Sequence, residues 1–372
     1  MKNFIGVKEM SKEEIIEILD TAQKLDCMNE DKRRKLMDGK IITSIFFEPS
    51  TRTRLSFTSA SYKLGCHVLG FDNPNMSSVV KGESLRDTII MVSAYSDVIV
   101  MRHYIDGAAK FAEEVTDANC GHKPCPIINA GDGANEHPSQ TLLDLYTIRE
   151  ELGSIENKKI AFVGDLKYGR TVHSLANALK MFNGEFYFIA PESIQIPDYI
   201  LKELDKAKIK YRLLDDYKNI LTSQAVSRQD IDSLYVTRIQ RERFDDINEY
   251  EKVKHAFQIS KKDIEGKCKD NMIIMHPLPR VDEINIDLDN TKYAKYFIQA
   301  RNGVPIRMAM LSLASGVIKS NTKKKKIDYE ITENKNIVCQ NKKCVTHFEE
   351  TSNKIIKKDY GYFCYYCNKE IK

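Results

Sequence analysis

Apolar positions along the chain alternate between short continuous runs and helical spacing. Runs such as Ile41–Phe47, Val98–Met101 and Ile160–Val163 are typical of buried strands, and helical patterns follow them. Ser11 and Glu14 have the spacing of a capping box before the first helical pattern. The remaining predicted strands are Pro126–Asn129, Phe186–Ile189, Leu234–Val236 and Met272–Met275. Strands that alternate with helices in this way predict an α/β fold with parallel sheets and right-handed crossovers.

These units are too numerous for one small sheet, so we expect two α/β domains, each with a mainly parallel sheet flanked by helices. Gly131, Gly133 and Pro138 interrupt the pattern and predict a break within Asn129–Gln140. Residues 319–336 contain few large apolar side chains and are interpreted as a linker. The expected division is residues 1–136 completed by a helix at about 302–319, then 137–301, then a linker and a small four-cysteine domain over 320–372.

Composition narrows the class of protein. The chain has 372 residues, of which 42% are hydrophobic and 30% charged, which excludes a mainly disordered or fibrous chain. The stretch Ile89–Met101 is too short and too polar to cross a bilayer, and the first residues lack a signal-peptide pattern. We therefore expect a cytoplasmic protein with no membrane partner. Of the net charge of +4, residues 321–372 contribute +5, so the rest of the chain is nearly neutral.

Six polar segments lie at the ends of predicted strands, where parallel sheets bind ligands. They are Ser50–Arg54, Arg102–His103, Asn129–Gln140, Gly164–His173, Thr237–Gln240 and His276–Arg280. Each segment alone is compatible with a helix cap or an ordinary connecting loop. The glycines of Gly164–His173 lack the G-x-G-x-x-G spacing of a dinucleotide site. Together, the arginines, hydroxyls and histidine favour a substrate with more than one negative group, such as a phosphate and carboxylates.

In this order, the segments resemble the aspartate carbamoyltransferase family over about residues 1–318. The resemblance implies transfer of a carbamoyl group from carbamoyl phosphate to L-aspartate, which yields N-carbamoyl-L-aspartate and phosphate in pyrimidine biosynthesis. It implies no organic cofactor. Ornithine carbamoyltransferases are the alternative, since they share the phosphate motif, but they typically carry Cys where this chain has Pro277.

The resemblance also implies roles for individual residues. The phosphate would be held by Ser50, Thr51, Arg52 and Thr53. The carbonyl oxygen would be held and polarised by Thr53, Arg102 and His137, with Gln140 at the carbamoyl amide. The two aspartate carboxylates would be held by Arg170 and Arg238, with Gln240 nearby, and the incoming nitrogen by the carbonyls of Leu278 and Pro279, joined by a cis bond. Ser77 and Lys81 would act in a neighbouring subunit's site, which implies a homotrimer with shared sites.

The tail carries a metal-ligand pattern. Cys339-x4-Cys344 and Cys364-x2-Cys367 have the spacing of a four-thiolate zinc site, and four protein ligands make the single Zn²⁺ structural. Two redox pairs are the alternative. Cys120 and Cys125, which flank His122, are interpreted as ordinary thiols, and we expect no metal site there.

The tail also resembles the zinc domain of the family's regulatory chain, which docks on catalytic subunits. The resemblance therefore implies that this domain can join subunits into a larger assembly. Residues 318–326 leave no room for a nucleotide-binding domain, so we expect no ATP or CTP control. A basic zinc domain could instead bind nucleic acid, but the tail has no arginine, and we expect no nucleic-acid partner.

Overall fold

A computed structural model describes residues 2–73, 78–118, 123–215, 231–239, 246–253, 257–322, 325, 329–333, 337–358 and 361–371. The described residues fall into two compact units, Met1–Ser139 with Gly303–Lys372, and Gln140–Asn302. Each unit contains a parallel sheet, and the tail adds an antiparallel one. The predicted class, two parallel α/β sheets with a small cysteine domain, is therefore confirmed.

The first unit is built on a parallel sheet with the strand order β2-β1-β3-β4. These strands are β1 (Ile41–Phe46), β2 (His67–Phe71), β3 (Val98–His103) and β4 (Ile127–Asp132). Its helices before the second unit are α1 (Lys12–Asp26), α2 (Glu30–Arg34), α3 (Thr51–Lys63), α4 (Leu85–Tyr95) and α5 (Ala108–Asp117). The predicted capping box is present, because Ser11 N donates to Glu14 Oε2 at 2.8 Å and Glu14 N donates to Ser11 Oγ at 3.2 Å.

The second unit has a parallel sheet with the order β7-β6-β5-β8-β9. Its strands are β5 (Lys159–Val163), β6 (Glu185–Ile189), β7 (Tyr211–Leu214), β8 (Ser233–Val236) and β9 (Ile273–Met275). The helices here are α6 (Pro138–Leu152), α7 (Arg170–Leu179), α8 (Asp198–Lys206), α9 (Ile247–Val253) and α10 (Lys261–Ile264). The last long helix, α11 (Tyr296–Ser315), begins in this unit, and its residues from Gly303 onwards belong to the first. Its core is aromatic, with the rings of Phe162 and Phe188 stacked at 5.5 Å.

Both parallel sheets contain a point at which the direction of winding reverses. In the first unit the chain goes from β1 to β2 on one side and continues with β3 on the other. In the second unit β5 leads to β6 on one side and is paired with β8 on the other. Ligands in open α/β sheets bind outside the carboxyl ends of the strands at such points. The fold therefore indicates one binding position after β1 and β3, and another after β5 and β8.

The tail folds as an antiparallel sheet with the order β10-β11-β12-β13 and belongs to the first unit. Its strands are β10 (Glu330–Glu333), β11 (Lys354–Lys358), β12 (Gly361–Cys364) and β13 (Glu370–Ile371). We call residues 337–371 the cysteine domain. Val345 and Tyr366 of this domain share one buried cluster with Phe111 and Val115 of α5. Its packing thus extends the core of the first unit.

Two details differ from the sequence interpretation. The segment 319–336, interpreted as a linker, contains β10, because Ile331 and its neighbours pair with β11. The helix expected at about 302–319 is α11, which begins earlier, at Tyr296, and ends at Ser315 with Pro305 inside it. Within the described ranges, none of the helices combines the length and apolar character that a membrane span requires.

Candidate active site and metal centre

The loop after β1 leads directly into α3 and places hydroxyls and guanidinium groups at a helix N-terminus. Ser50 is the N-cap of α3 in an extended conformation, and among the described contacts its hydroxyl makes no capping bond. Thr53 is buried, whereas Thr51 and Arg52 are exposed. Partial burial lowers the pKa of Arg52 from its usual value, but a guanidinium stays charged in proteins. N–H groups, hydroxyls and a fixed cation together can bind a phosphate.

Arg102 is the next-to-last residue of β3 and contacts Glu48, just before this loop. Its Nη2 is 2.8 Å from Glu48 Oε2, and its Nη1 donates to the Ala130 carbonyl at 3.2 Å. Glu48 lies in the connection between β1 and α3, just before the predicted segment Ser50–Arg54, and sequence reasoning gave it no role. The Glu48 carboxylate thus occupies a position on Arg102 that an anionic substrate can take over.

Two histidines near these strand ends have different environments. His103 is buried against the rings of Phe47 and Tyr104, and its Nδ1 accepts a hydrogen bond from Ile105 N at 3.0 Å. Burial lowers the pKa of His103 to about 3, so it is a neutral packing residue. His137, also buried, immediately precedes α6, and its Nδ1 lies 3.4 Å from Ser139 Oγ.

The loop that carries His137 is fixed by aspartates that sequence reasoning missed. Asp132 accepts hydrogen bonds from Asn129, Asn135, Glu136 N and Gly107 N, all within 3.0 Å. Asp106 Oδ1 accepts from Ala134 N at 2.7 Å. These contacts hold the backbone between β4 and α6 in one conformation.

Gly133 in this loop has no acceptable substitute. Its φ is +52°, and a Cβ atom there would lie 1.8 Å from Asp106 Oδ1. The predicted pattern break at Gly133 is therefore a requirement for close approach between this loop and Asp106.

In the second unit, the two arginines expected to bind the aspartate carboxylates follow β5 and β8. Arg170 is the first residue of α7, and Arg238 follows β8, and both are half-buried. Arg238 also lines a cavity of about 70 Å³ with Tyr250, Phe257 and the segment 281–283. The structure thus places two cations at the ends of the two strands between which the winding of this sheet reverses.

The Leu278–Pro279 bond is cis, as the resemblance implies. Gln140 Nε2 donates to Asp144 Oδ1 at 2.9 Å. Lys81 is exposed at the end of a short 3₁₀ turn, Ser78–Lys81. Ser77, Gln240, Cys120 and His122 lie outside the described residues.

The four tail cysteines form one buried cluster. The Sγ atoms of Cys339, Cys344, Cys364 and Cys367 all lie within 4.8 Å of one another, and no disulfide joins any of the described cysteines. Cys339–Cys367 and Cys344–Cys364 are both 3.6 Å apart. A tetrahedral site with Zn–S bonds of about 2.3 Å requires S···S distances of about 3.8 Å. The cluster therefore fits a Zn²⁺ ion with four thiolates.

Polar contacts attach the cysteine domain to the first unit. Asp106 Oδ2 accepts from Asn341 Nδ2 at 2.9 Å, and the backbones of Asp106 and Val345 are also hydrogen-bonded. Glu114 on α5 accepts from the Tyr366 hydroxyl at 2.6 Å and also pairs with Lys354. Burial opposes ionisation of Glu114, but these partners outweigh it and lower its pKa.

Two family models match the chain. The model for the carbamoyl-P binding domain of aspartate/ornithine carbamoyltransferase matches residues 2–150, and the model for the Asp/Orn binding domain matches residues 156–314.

Curated relatives extend the match. A protein from Brachyspira hyodysenteriae, named aspartate carbamoyltransferase catalytic subunit, is 72% identical over 371 residues, with 100% of this chain and 99% of the relative covered. A protein of the same name from Methanocaldococcus jannaschii is 52% identical over 316 residues, with 84% and 97% covered. The first alignment includes the cysteine domain, whereas the second relative is too short to contain both parts.

Solved structures agree with these relatives. The catalytic subunit of M. jannaschii aspartate transcarbamoylase superposes with a TM-score of 0.75 at 50% identity, with 86% of this chain and 99% of that chain covered. Aspartate transcarbamoylase from Trypanosoma cruzi, in complex with carbamoyl phosphate and aspartate, gives 0.73 at 36% identity, with 83% and 94% covered.

Proposed function

The chain belongs to the aspartate/ornithine carbamoyltransferase family, and we propose that it transfers the carbamoyl group of carbamoyl phosphate to L-aspartate. The products are N-carbamoyl-L-aspartate and phosphate, a step of pyrimidine biosynthesis, which we assign to the cytoplasm. The observation that carries this choice of acceptor is the pair Arg170 and Arg238 at the ends of adjacent strands. Two cations suit the two carboxylates of aspartate, whereas ornithine has one carboxylate and a cationic side chain.

Carbamoyl phosphate would bind in the first unit. The N-terminus of α3, the hydroxyls of Ser50, Thr51 and Thr53, and Arg52 would hold its phosphate. Arg102 would exchange its Glu48 partner, 2.8 Å away, for the carbonyl oxygen. Charge-assisted bonds of this kind are roughly twice as strong as neutral ones.

His137 would donate to the same carbonyl oxygen. Ser139 Oγ lies 3.4 Å from His137 Nδ1 and accepts from Arg307 Nη2 at 3.2 Å. These contacts support a fixed position of the imidazole. Gln140 would bind the carbamoyl amide, and the carbonyls of Leu278 and Pro279 would bind the carbamoyl nitrogen or the incoming amine.

The chemistry requires no organic cofactor. The neutral aspartate amine attacks the carbonyl carbon, a C–N bond forms, and the carbonyl oxygen becomes negative in the tetrahedral intermediate. The C–O bond to phosphate then breaks, and the departing phosphate takes the proton that the amine loses. Each preorganised donor to the developing oxyanion contributes about 3–4 kcal/mol to catalysis.

We further propose a homotrimer in which Ser77 and Lys81 complete a neighbouring subunit's site. Leu55 and Tyr62 on α3 and Leu69 on β2 support a subunit interface in this region, because each side chain is about half exposed. The native mass of the purified chain tests this assembly, and it also shows whether the cysteine domain joins trimers into a larger particle.

The cysteine cluster would hold one Zn²⁺ per chain. A bound ion supplies four bonds that fix the turns around Cys339–Cys344 and Cys364–Cys367, and four ligands leave no position for a substrate. The contacts of the cysteine domain with α5 support a role in stabilising the first unit. We further propose that the chain has no built-in ATP or CTP control. Elemental analysis should give one zinc per chain, and tight CTP binding by the pure chain would contradict the absence of nucleotide control.

The activity is tested by phosphate release from carbamoyl phosphate with aspartate or ornithine as acceptor. We expect turnover with aspartate as the acceptor and none with ornithine, and a large loss of activity in Arg52→Ala. Arg34→Ala is the matched control, because Arg34 lies in the same unit and pairs with exposed Glu30 at 2.5 Å. Normal turnover of Arg52→Ala, or turnover with ornithine, would contradict the assignment.

A further inference from the structure

Four buried polar side chains form a continuous chain of hydrogen bonds in the second unit, and the proposed reaction assigns none of them a role. They are Asp144, Gln299, His276 and Glu283, each at most 5% exposed. Burying so many polar atoms is costly unless every partner is present, so the arrangement specifies one geometry. We call this set the polar chain.

One end of the polar chain fixes Gln140. Asp144 Oδ1 accepts from Gln140 Nε2 at 2.9 Å and from Gln299 Nε2 at 2.6 Å. Asp144 Oδ2 accepts from the Tyr235 hydroxyl at 2.9 Å. Burial, together with Asp144, raises the pKa of Tyr235 well above its usual value, so the phenol remains a donor. The Gln140 amide, proposed to bind the carbamoyl group, is therefore held by a fully occupied carboxylate.

In the centre of the polar chain, Gln299 connects Asp144 to the backbone of His276. Gln299 donates from Nε2 to Asp144, and its Oε1 accepts from His276 N at 2.8 Å. A carboxylate on one side and an N–H group on the other allow only one orientation of this amide. Gln299 therefore links α6 to the end of β9 by a rigid connection.

The other end fixes the turn around Leu278. His276 Nδ1 accepts from Leu278 N at 2.8 Å, so in the neutral ring the proton is on Nε2, which lies 2.7 Å from Glu283 Oε1. Glu283 Oε2 accepts from the backbone N–H groups of Val281 and Asp282, each at 3.1 Å. Leu278 has a φ of +53°, an unfavourable conformation for a residue with a side chain, and His276 and Glu283 hold the backbone on both sides of it.

We propose that the polar chain positions the two groups that receive the carbamoyl moiety, the Gln140 amide and the Leu278–Pro279 carbonyls, relative to each other. Asp144, Gln299, His276 and Glu283 are thus positioning residues, and none of them touches a substrate. The inference rests on the proposed function for its kinetic consequences. Its structural consequence, a fixed histidine tautomer, can be measured without substrates.

Gln299→Leu tests the centre of the polar chain. The variant leaves the His276 N–H group without its acceptor and frees Asp144 to shift. A displacement of about 1 Å at a reacting group can cost roughly 100-fold in rate, so we expect kcat to fall about 30- to 100-fold. The KM for aspartate should change less than about threefold, because the polar chain makes no contact with the carboxylates in the proposed binding mode.

Gln195→Leu is the matched control. Gln195 lies in the same unit and donates to the Ala190 and Leu214 carbonyls at 3.1 and 3.2 Å, but it has no connection to Gln140 or the Leu278 turn. If stability alone decided the rate, both leucine variants would lose activity in proportion to their loss of unfolding temperature.

Glu283→Gln keeps the volume of the side chain and tests the other end. If the new amide oxygen accepts from His276 Nε2, its NH₂ group faces the N–H groups of Val281 and Asp282. If the amide is reversed, His276 must carry its proton on Nδ1, opposite Leu278 N. Two donor–donor contacts remain in the first orientation and one in the second, so kcat should fall at least about tenfold. Glu203→Gln, which removes the charge that Lys180 pairs with at 3.1 Å, is its control.

Nitrogen-15 NMR of the imidazole rings supplies the second readout. We expect His276 in the unmodified full chain to be the Nε2–H tautomer, and Glu283→Gln to change or mix its tautomer while Glu203→Gln does not. The inference would be overturned if Gln299→Leu and Glu283→Gln both left the His276 tautomer unchanged and kept kcat within threefold of the wild type. If Gln299→Leu does not fold, Glu283→Gln decides alone. If the wild-type chain transfers no carbamoyl group but Glu283→Gln still changes the His276 tautomer, the proposed function and the kinetic role are rejected. The described geometry then remains intact.

Discussion

Replacing Asp106 by alanine should loosen both the cysteine domain and the loop that carries His137. The Asp106 carboxylate, whose side chain is 1% exposed, holds Ala134 N with one oxygen and Asn341 Nδ2 with the other, at 2.7 and 2.9 Å. Lys369 Nζ lies 3.1 Å from the second oxygen, but its side chain is 48% exposed. One substitution therefore removes contacts on two sides of a single residue.

The size of the effect follows from these contacts. A hydrogen bond to a buried charged group contributes about 1.5–3 kcal/mol, and a solvent-screened ion pair contributes about 0–1 kcal/mol. The Asn341 and Lys369 contacts together thus stabilise docking of the cysteine domain by about 1.5–4 kcal/mol. Since about 1.4 kcal/mol corresponds to a factor of ten, transient opening of this domain should become at least about tenfold more frequent.

The assay is the rate at which the zinc-loaded full chain releases its metal to a chelator in excess. Asp106→Ala should release zinc at least about tenfold faster than the wild type. Asn341→Ala should have a smaller effect, and the double variant should show a coupling energy of about 0.5–3 kcal/mol between the two residues. Asp72→Ala, which removes an exposed partner of Arg54, is the control and should not change the rate. A release rate of Asp106→Ala within twofold of the wild type would refute this account of the attachment.

Further predictions concern substrate binding, backbone conformation and pH. Arg238→Ala should raise the KM for aspartate about 100-fold in steady-state kinetics, with little change in the KM for carbamoyl phosphate, and an unchanged aspartate KM would contradict the carboxylate role. Gly153→Ala meets no described atom within 4 Å and should cost only about 1–2 kcal/mol for its positive φ, whereas Gly133→Ala also clashes and should cost at least about 2 kcal/mol more in denaturant unfolding. The pKa of Asp97 is lowered, because its bonds to Lys40 and Ile41 N outweigh the effect of its burial. The ionised carboxylate therefore stabilises the folded chain above pH 3.8, and this stabilisation is lost as the pH falls below that value. Asp97→Asn should therefore destabilise the chain more at pH 7 than at pH 3, and an equal loss at both would show that the carboxylate has no such role.

The parts that could be predicted from the sequence are those with a strong local signal. Buried parallel strands are continuous apolar runs, so the central strands β1, β3, β5 and β8 were predicted to within two residues at each end. Because those ends meet at the points where the winding reverses, the polar segments that follow them could be assigned to candidate sites. Loop chemistry and strand order thus led to the same residues.

Two of the edge strands, β2 and β7, could not be predicted from the same signal, although the other two, β4 and β9, were predicted. β2 is largely exposed, with Gly70 in it, and β7 has Arg212 and Leu213 exposed, so neither is a continuous buried run. Their pairing depends on neighbours far away in sequence. The polar chain was missed for a similar reason, since Asp144 and Gln299 are 155 residues apart and nothing local marks them as partners.

The tail shows most clearly how packing changes an interpretation made from spacing. The cysteines were recognisable as a zinc pattern, but spacing does not show what the folded domain contacts. Gly107 begins α5 with a φ of +83°, and a Cβ atom there would lie 2.7 Å from Tyr366 Cβ, so the two parts of the chain approach closely at this glycine. Val345 and Tyr366 are buried in the same cluster as Phe111. Since metal binding to four thiolates is coupled to folding of the surrounding turns, a Zn²⁺ ion in the proposed site would also stabilise part of the core beneath α5. The cysteine domain is therefore a structural component of the first unit, and Asp106 connects it to the loop that carries His137.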